Sequence, residues 1–407
     1  MMRTWKMTVS SMNLLALPDG DSGAKAARLL DAAENSAPKI TAGHVRAATR
    51  ADMANVGRLF QHIFVHDDGP APEALTAYLG ALFLDSPERD PEITSKAHVR
   101  ADGTVNGFIG VLPLPLKYEG KTLRGAVCGS LMVDERDGDP FAGARLMRSF
   151  LCGPQDISLS ETANPVSEGM WRKLRGTVLP AYSLEWVRVL RPTAFALDVA
   201  ARSVPAVRLL RPVAMPIDGL ARRLAPGLLR ATENHAAADR EIGIKDLAEL
   251  IQRIVAKSPL HPAWSVAGLR RMLADAQHKS RYGTFIARAV TARSGTPIGA
   301  FLYHAQPGRI AHVLQVLALP GQAGTVLDRL FLHAEQSGAV AVRGRSQPYL
   351  IDALLTRNCF HVHRASSLVH ARDPALLEPF LSGRAFFNGL AGDNWTKLVG
   401  EDFATSV

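Results

Sequence analysis

Apolar and polar residues alternate along the chain with two periods, near 3.6 and near 2, and the switches between them mark short helices and strands. Residues 1–42 hold no sustained period and are rich in Ala, Ser, Asp and Gly; a loose tail with a short helix over 24–33 is expected there. Order is expected to begin with a strand over 45–49. Thr49 then reads as an N-cap with Asp52 three residues on, and Met53, Val56, Leu59, Phe60 and Ile63 share one helical face. A second helix is expected over 72–84, with Pro72 in its first turn. Strands over 97–100 and 107–112 flank Ala101-Asp102-Gly103, a hairpin signal. A strand over 124–133, a helix over 143–151, a strand over 157–161, a helix over 167–174 and a closing strand over 184–189 follow.

The pattern recurs from Ile242. Leu247, Leu250, Ile251 and Ile254 form a helical face, and 266–276 is a further helix. Strands over 285–290 and 299–303 flank Ser294-Gly295-Thr296, followed by a strand over 311–318 and a helix over 325–336. A strand over 339–343, a helix over 349–355 and a strand over 367–370 complete the order. The two hairpins align at Thr104 and Thr296, an offset of 296 − 104 = 192 residues. That period is far too long for a solenoid. The expected fold is α/β: two copies of one domain, each a twisted mixed sheet flanked by helices. The expected organisation is a tail (1–42), a first domain (43–192), a helical connector (193–241), a second domain (242–398) and a tail (399–407).

Composition narrows the class. Among 407 residues, 47% are hydrophobic, which excludes a mostly disordered chain. Cys128, Cys152 and Cys359 form no CxxC pair, so neither a disulfide scaffold nor a zinc-finger site is expected, and a reducing compartment fits. No run approaches the ~18 apolar residues of a membrane span, and Leu14–Leu17 is too short for a signal-peptide core. A cytoplasmic protein is expected. The net charge of +9 favours polyanionic partners without choosing among them. Much of it lies in 188–230, where eight arginines face two acids, Asp198 and Asp218, and five prolines limit any helix to about three turns. This segment reads either as an interdomain connector whose apolar faces pack on both domains or as a contact for anionic membrane surfaces. The short apolar faces favour the connector.

The candidate chemistry sits in the first copy. Leu131-Met132-Val133, the loop to Ala142-Gly143-Ala144, and Arg145-Leu146-Met147 resemble the strand-four signature of the GNAT-superfamily N-acetyltransferases. Asn164 and the run from Trp171 to Gly176 extend the resemblance, which covers about 43–192. The second copy offers only Gly321-Gln322-Ala323-Gly324-Thr325 in place of the loop. The resemblance implies acetyl-CoA or another acyl-CoA as co-substrate, no metal, and cofactor contacts at Leu131, Met132, Val133, Ala142, Gly143, Ala144, Arg145, Asn164 and Trp171. A helix N-terminus preceded by small residues suits a pyrophosphate, and an open strand edge can pair with the pantetheine arm. The sequence departs from the pattern at Gly138 and Phe141, which replace Arg and Gly, and at Trp171, which stands where the family often has Tyr. Residues 134–139 carry four acids against Arg136.

An amine must lose a proton to attack a thioester. Glu161, at the end of its strand, is the candidate base. Asn164 reads equally as a cofactor contact and as a helix N-cap. His361-Val362-His363 lacks a completing ligand for a metal. There is no GxxxxGK[ST] or GxGxxG, and aromatic residues are not interleaved with a basic stripe, so no nucleic-acid motif is found. The expected activity is acyl-CoA-dependent N-acylation of a small-molecule or glycan-precursor amine, the second copy helping to form the acceptor cleft. Two alternatives stand beside it: a binding or scaffold protein that kept the fold and lost the cofactor, and a Fem-type transferase using aminoacyl-tRNA.

Overall fold

The computed structural model describes residues 43–134, 136, 139–201, 203–232 and 236–396; the helix expected over 24–33 and the tail 399–407 lie outside them. The chain opens with β1 (His44–Ala47), α1 (Met53–Phe60) and α2 (Glu73–Phe83). The turn into α1 is held as the sequence suggests. The Asp52 carboxylate accepts from the Thr49 amide at 2.7 Å and from Arg46 at 2.7 Å, which brings its pKa down to about 2. Then come β2 (Lys96–Val99), β3 (Val105–Tyr118), β4 (Lys121–Val133), α3 (Ala142–Leu151), β5 (Ile157–Ala163) and α4 (Pro165–Lys173), followed by β6 (Thr177–Val178), α5 (Pro180–Ser183) and β7 (Leu184–Val189).

β3 runs past the expected end at residue 112 through Pro113 and Pro115. A proline lacks the donor a ladder needs. Here β2 pairs with β3 only as far as Ile109 and β9 only from Leu116, so between them the outer edge of β3, with Pro113 and Pro115, has no strand ladder. The Pro115 carbonyl points to that edge, accepting from Ala263 at 2.7 Å, so its ring nitrogen lies on the side where no β4 partner is lost.

Three helices follow, α6 (Pro192–Ala200), α7 (Arg211–Leu224) and α8 (Pro226–Leu229), then β8 (Ala237–Glu241), α9 (Ile244–Val255), β9 (Leu260–Pro262) and α10 (Val266–Ala276). The second half continues with β10 (Thr284–Ala292), β11 (Pro297–Ala305), β12 (Ile310–Ala318), α11 (Ala323–Gln336) and β13 (Ala341–Arg345). It ends with α12 (Ile351–Leu355), β14 (Phe360–His363), β15 (Ser366–Ala371) and α13 (Glu378–Leu381).

Two mixed sheets result. The first runs β1-β2-β3-β4-β5-β15-β6, with β9 added beside β3; the second runs β8-β10-β11-β12-β13-β7-β14. Only β4–β5 and β12–β13 pair in parallel. Each sheet takes its sixth strand from the other half of the chain. The sequence reading closed the first domain with Leu184–Val189 and the second with residues 367–370. Those strands are exchanged: β7 pairs with β13 and β14, and β15 with β5 and β6. Burial accounts for the position of β7, because fully buried Trp186 stacks edge-on against Phe331 of α11 at 5.9 Å. Ala237–Glu241, read as the end of the connector, is edge strand β8 paired with β10.

The largest core lies between the sheets, where Phe60, Leu79 and Phe108 meet Leu250, Leu273 and Leu302. Phe386, Phe387 and Leu390 join it. They belong to a C-terminal segment that the sequence reading left without structure and that runs between the two sheets. Outer cores lie under α3 and α4 on the first sheet and under α11 on the second.

Candidate functional site

β4 and β5 pair only from Gly125–Val127 to Ile157–Leu159 and then diverge. Opposite β3 the ladder slips between Gly110↔Ser130 and Val111↔Cys128, leaving Gly129 as an extra residue. Such a bulge turns the strand and frees backbone groups from the ladder. The edge of β4 from Cys128 to Val133 that faces β5 therefore has no strand beside it. Leu131 and Val133 are half-buried along it, and Met132 is buried on the core side.

The loop after Val133 brings carboxylates to the start of α3. Asp139 accepts from the Phe141 amide at 3.1 Å and from Arg145 Nη1 at 2.8 Å, and the same Arg145 nitrogen lies 3.1 Å from His98 Nε2. His98 Nδ1 is 2.6 Å from Asn106 Oδ1. Arg145 is thus tied into a buried polar chain, while Arg136 is paired with Asp134 and Asp68. Ala142 is fully buried. The amides of Gly143 and Ala144 have no partner among the described residues, and a Cβ on Gly143 would meet only Val133, at 3.5 Å. Asn164 caps α4, its Oδ1 accepting from Ser167 at 2.8 Å. Trp171 has no exposed surface: it packs on Phe150, and its Nε1 is buried without a partner.

Glu161 lies at the apex of the opening, fully buried. Its Oε1 accepts from the Gly389 amide at 3.0 Å and from Asn394 Nδ2 at 2.9 Å; its Oε2 accepts from the amides of Asp393 at 3.0 Å and Asn394 at 3.2 Å. Arg345 donates to the Glu161 carbonyl at 2.5 Å and to Ser367 at 2.8 Å, with its Nε 3.9 Å from Oε1. The candidate base therefore anchors the C-terminal segment. Gly392 is required there, since any Cβ would collide with Glu161 Oε2.

The segment delivers a second carboxyl. Asp393 Oδ2 accepts from Thr162 at 3.3 Å, whereas its Oδ1 is buried with no partner. Burial, reinforced by the Glu161 charge and offset in part by the Thr162 hydrogen bond, pushes the Asp393 carboxyl well above the usual carboxylate range. Its carboxyl is close enough to β4 that, after burial itself, it contributes to raising the Cys128 thiol to about 12. Cys128 directly precedes the Gly129 bulge.

The corresponding opening in the second sheet is closed. β12 carries its own bulge at Leu314 and pairs with β13 only through His312. Beyond that, Gln315 Nε2 donates to Gln347 Oε1 at 2.9 Å, and Tyr349 donates to the Val316 carbonyl at 2.5 Å. What remains is a cavity of about 110 Å³ lined by Lys279, Tyr282, His304, Arg343, Arg345 and Asn394 among others. His304 donates to the Ala276 carbonyl, and burial lowers its pKa to about 4.

No protein-family model and no curated protein matches the sequence. Solved structures match in shape. A GCN5-related N-acetyltransferase from Anabaena variabilis aligns over 81% of this chain and 73% of its own, at 12% identity and a TM-score of 0.54. A conserved protein from Enterococcus faecalis described as a probable N-acyltransferase aligns over 81% and 72%, at 10% identity and a TM-score of 0.52. This chain has the GNAT-superfamily fold. Within that fold, Leu131, Met132 and Val133 lie on β4, and Ala142, Gly143, Ala144 and Arg145 form the first turn of α3. Asp393 and Asn394 escaped the sequence reading. Gly392-Asp393-Asn394 reads locally as a turn, and nothing in it announces a partner 232 residues away.

Proposed function

We propose that the protein is an N-acyltransferase that moves an acyl group from a coenzyme A thioester to an amine. The observation that carries this is Asp393, a buried carboxyl with one unpartnered oxygen, held well above the usual carboxylate range beside Glu161 and Thr162 of β5. The residues present fit the co-substrate. The unpaired β4 edge suits a pantetheine arm, and the amides of Gly143 and Ala144, with open space at Gly143, suit a phosphate. The thioester supplies the activated acyl carbon.

This chain's part is then proton transfer. The amine nitrogen bonds to the acyl carbon as the carbon–sulfur bond breaks; Asp393 takes the amine proton and passes it to the departing thiolate, ending as it began. Glu161 does not touch the reactants. It holds the segment in place and keeps Asp393 high by its charge. The cavity beside Asn394, with Lys279, Arg343 and Arg345 in its walls, is the place for the acceptor.

The test is release of free thiol from acetyl-CoA in the presence of a panel of small amines. The wild-type rate should rise with pH on a limb lying well above the usual carboxylate range as Asp393 ionises. Asp393→Asn should lose about a hundredfold and the pH limb with it. Glu161→Gln should move the limb to lower pH, because the raising charge is gone. No thiol release with any amine defeats the proposal.

A second reading, a binding protein without catalysis, has its own observation in the Asp139 carboxylate seated at the start of α3. The same assay separates the two.

A further inference from the structure

Between the two halves, α6 packs on the second sheet, but the segment from Val204 to Leu228 leaves most of its large apolar side chains exposed. Of the sixteen large hydrophobic side chains exposed among the described residues, nine fall between Val204 and Leu228. On α7, Val213, Ile217, Leu220 and Leu224 are 58%, 49%, 59% and 77% exposed. Their spacing of four, three and four residues places them on one stripe along the helix. The side of α7 that meets the protein carries Ala214 and Asp218, both buried. Leu209 and Leu210 extend the exposed stripe beyond the helix start. Within the connector expected from the sequence, Ala194, Phe195 and Val199 of α6 pack against Val187, Ile310 and Ala341, whereas the α7 stripe packs against neither half.

Charge is sorted with the same bias. The two acids of 188–230 are turned inward. Asp218 accepts from the amides of Thr193 and Ala194 at 2.7 and 3.0 Å, and Asp198 pairs with Arg309 at 2.7 Å. Arg188, Arg191 and Arg222 hold the helices to the body, the first on the carbonyls of Leu228 and Arg230, the second on that of Gly338, and the third on Glu335. Arg223 and Arg230 face solvent. Among the described residues of 188–230, the exposed large side chains are therefore apolar or cationic and neither acid is exposed. Monomeric soluble proteins rarely leave so concentrated an apolar patch uncovered.

The geometry points to an anionic membrane surface as what covers it. The α7 stripe would lie in the interface between headgroups and acyl chains, with Arg223 and Arg230 at the phosphates. No described helix is long and apolar enough to cross a membrane, so the contact is parallel to the surface. A second copy is the poorer fit, because a two-fold contact would set these arginines against their own kind.

Sedimentation of the full chain with vesicles tests this, using phosphatidylcholine alone and a three-to-one mixture with phosphatidylglycerol. The mixed vesicles should bind the protein at low salt and release it as salt rises. Leu220→Asp combined with Leu224→Asp should weaken binding about tenfold or more without lowering the melting temperature, since both positions are exposed. Arg223→Glu should weaken binding to the mixed vesicles only. Absence of binding at low salt, or unchanged binding in the folded double variant, overturns the proposal. So does concentration-dependent dimerisation that the same aspartates abolish, which would assign the face to a second copy.

Discussion

Asp393 and His304 pull the stability of this protein in opposite directions with pH. Asp393 is raised above its ordinary 3.8 in the folded chain, so its contribution to stability is complete at low pH and is lost as pH climbs from 3.8 through the raised folded value. His304 is lowered from 6.5 to about 4, so its contribution is present above 6.5 and is lost as pH falls toward 4. Asp393→Asn keeps the shape and removes the first titration. Its melting temperature relative to wild type should therefore grow steadily between pH 5 and pH 9; a constant difference would show that the carboxyl is not buried beside Glu161. At this scale the sequence reveals one member of the pair. Glu161 can be singled out as a carboxylate closing a strand, but its partners come from a segment whose local pattern is only a turn. The hydrogen bonds that hold Asn164 as a helix cap are local and legible; those that hold Glu161 span more than half the chain.

At the scale of elements, periodicity located the longer helices and strands on either side of the connector, but passed over pieces as short as β6, β9 and α13, which hold too few residues to show a period. It could not say which sheet a strand joins. Leu184–Val189 alternates as a strand in either sheet, and only the pocket against Phe331 directs Trp186 to the second. The exchange has a consequence for fragments. A piece spanning 43–192 lacks β15, so β5 would present a bare edge and β7 would have no sheet to enter. Such a fragment should be insoluble when expressed alone, while 43–232 and 233–407 expressed together should copurify as one complex. A monomeric, cooperatively melting 43–192 would contradict the exchange. The prolines of β3 show the same limit from another side: they argue against a strand until the open edge beside them is known.

Across the whole molecule, the two sheets share one core, and the C-terminal segment passing between them reaches both openings. It meets Glu161 in the first sheet, and its Leu390 amide donates to Gln315 in the second at 3.1 Å. The second opening is stitched shut by Gln347 and Tyr349. The first keeps its β4 edge and the amides of Gly143 and Ala144 available, so one thioester site per molecule is expected. Calorimetric titration of acetyl-CoA into the full chain, and into Gly143→Glu, examines that site without requiring the acceptor to be known. Wild type should give saturable heat for a single site. The variant should bind at least about tenfold more weakly with an unchanged melting temperature, since its new carboxylate would repel the phosphates from an open position. No heat with the wild-type chain, or equal affinity in a folded variant, would contradict the acyltransferase reading.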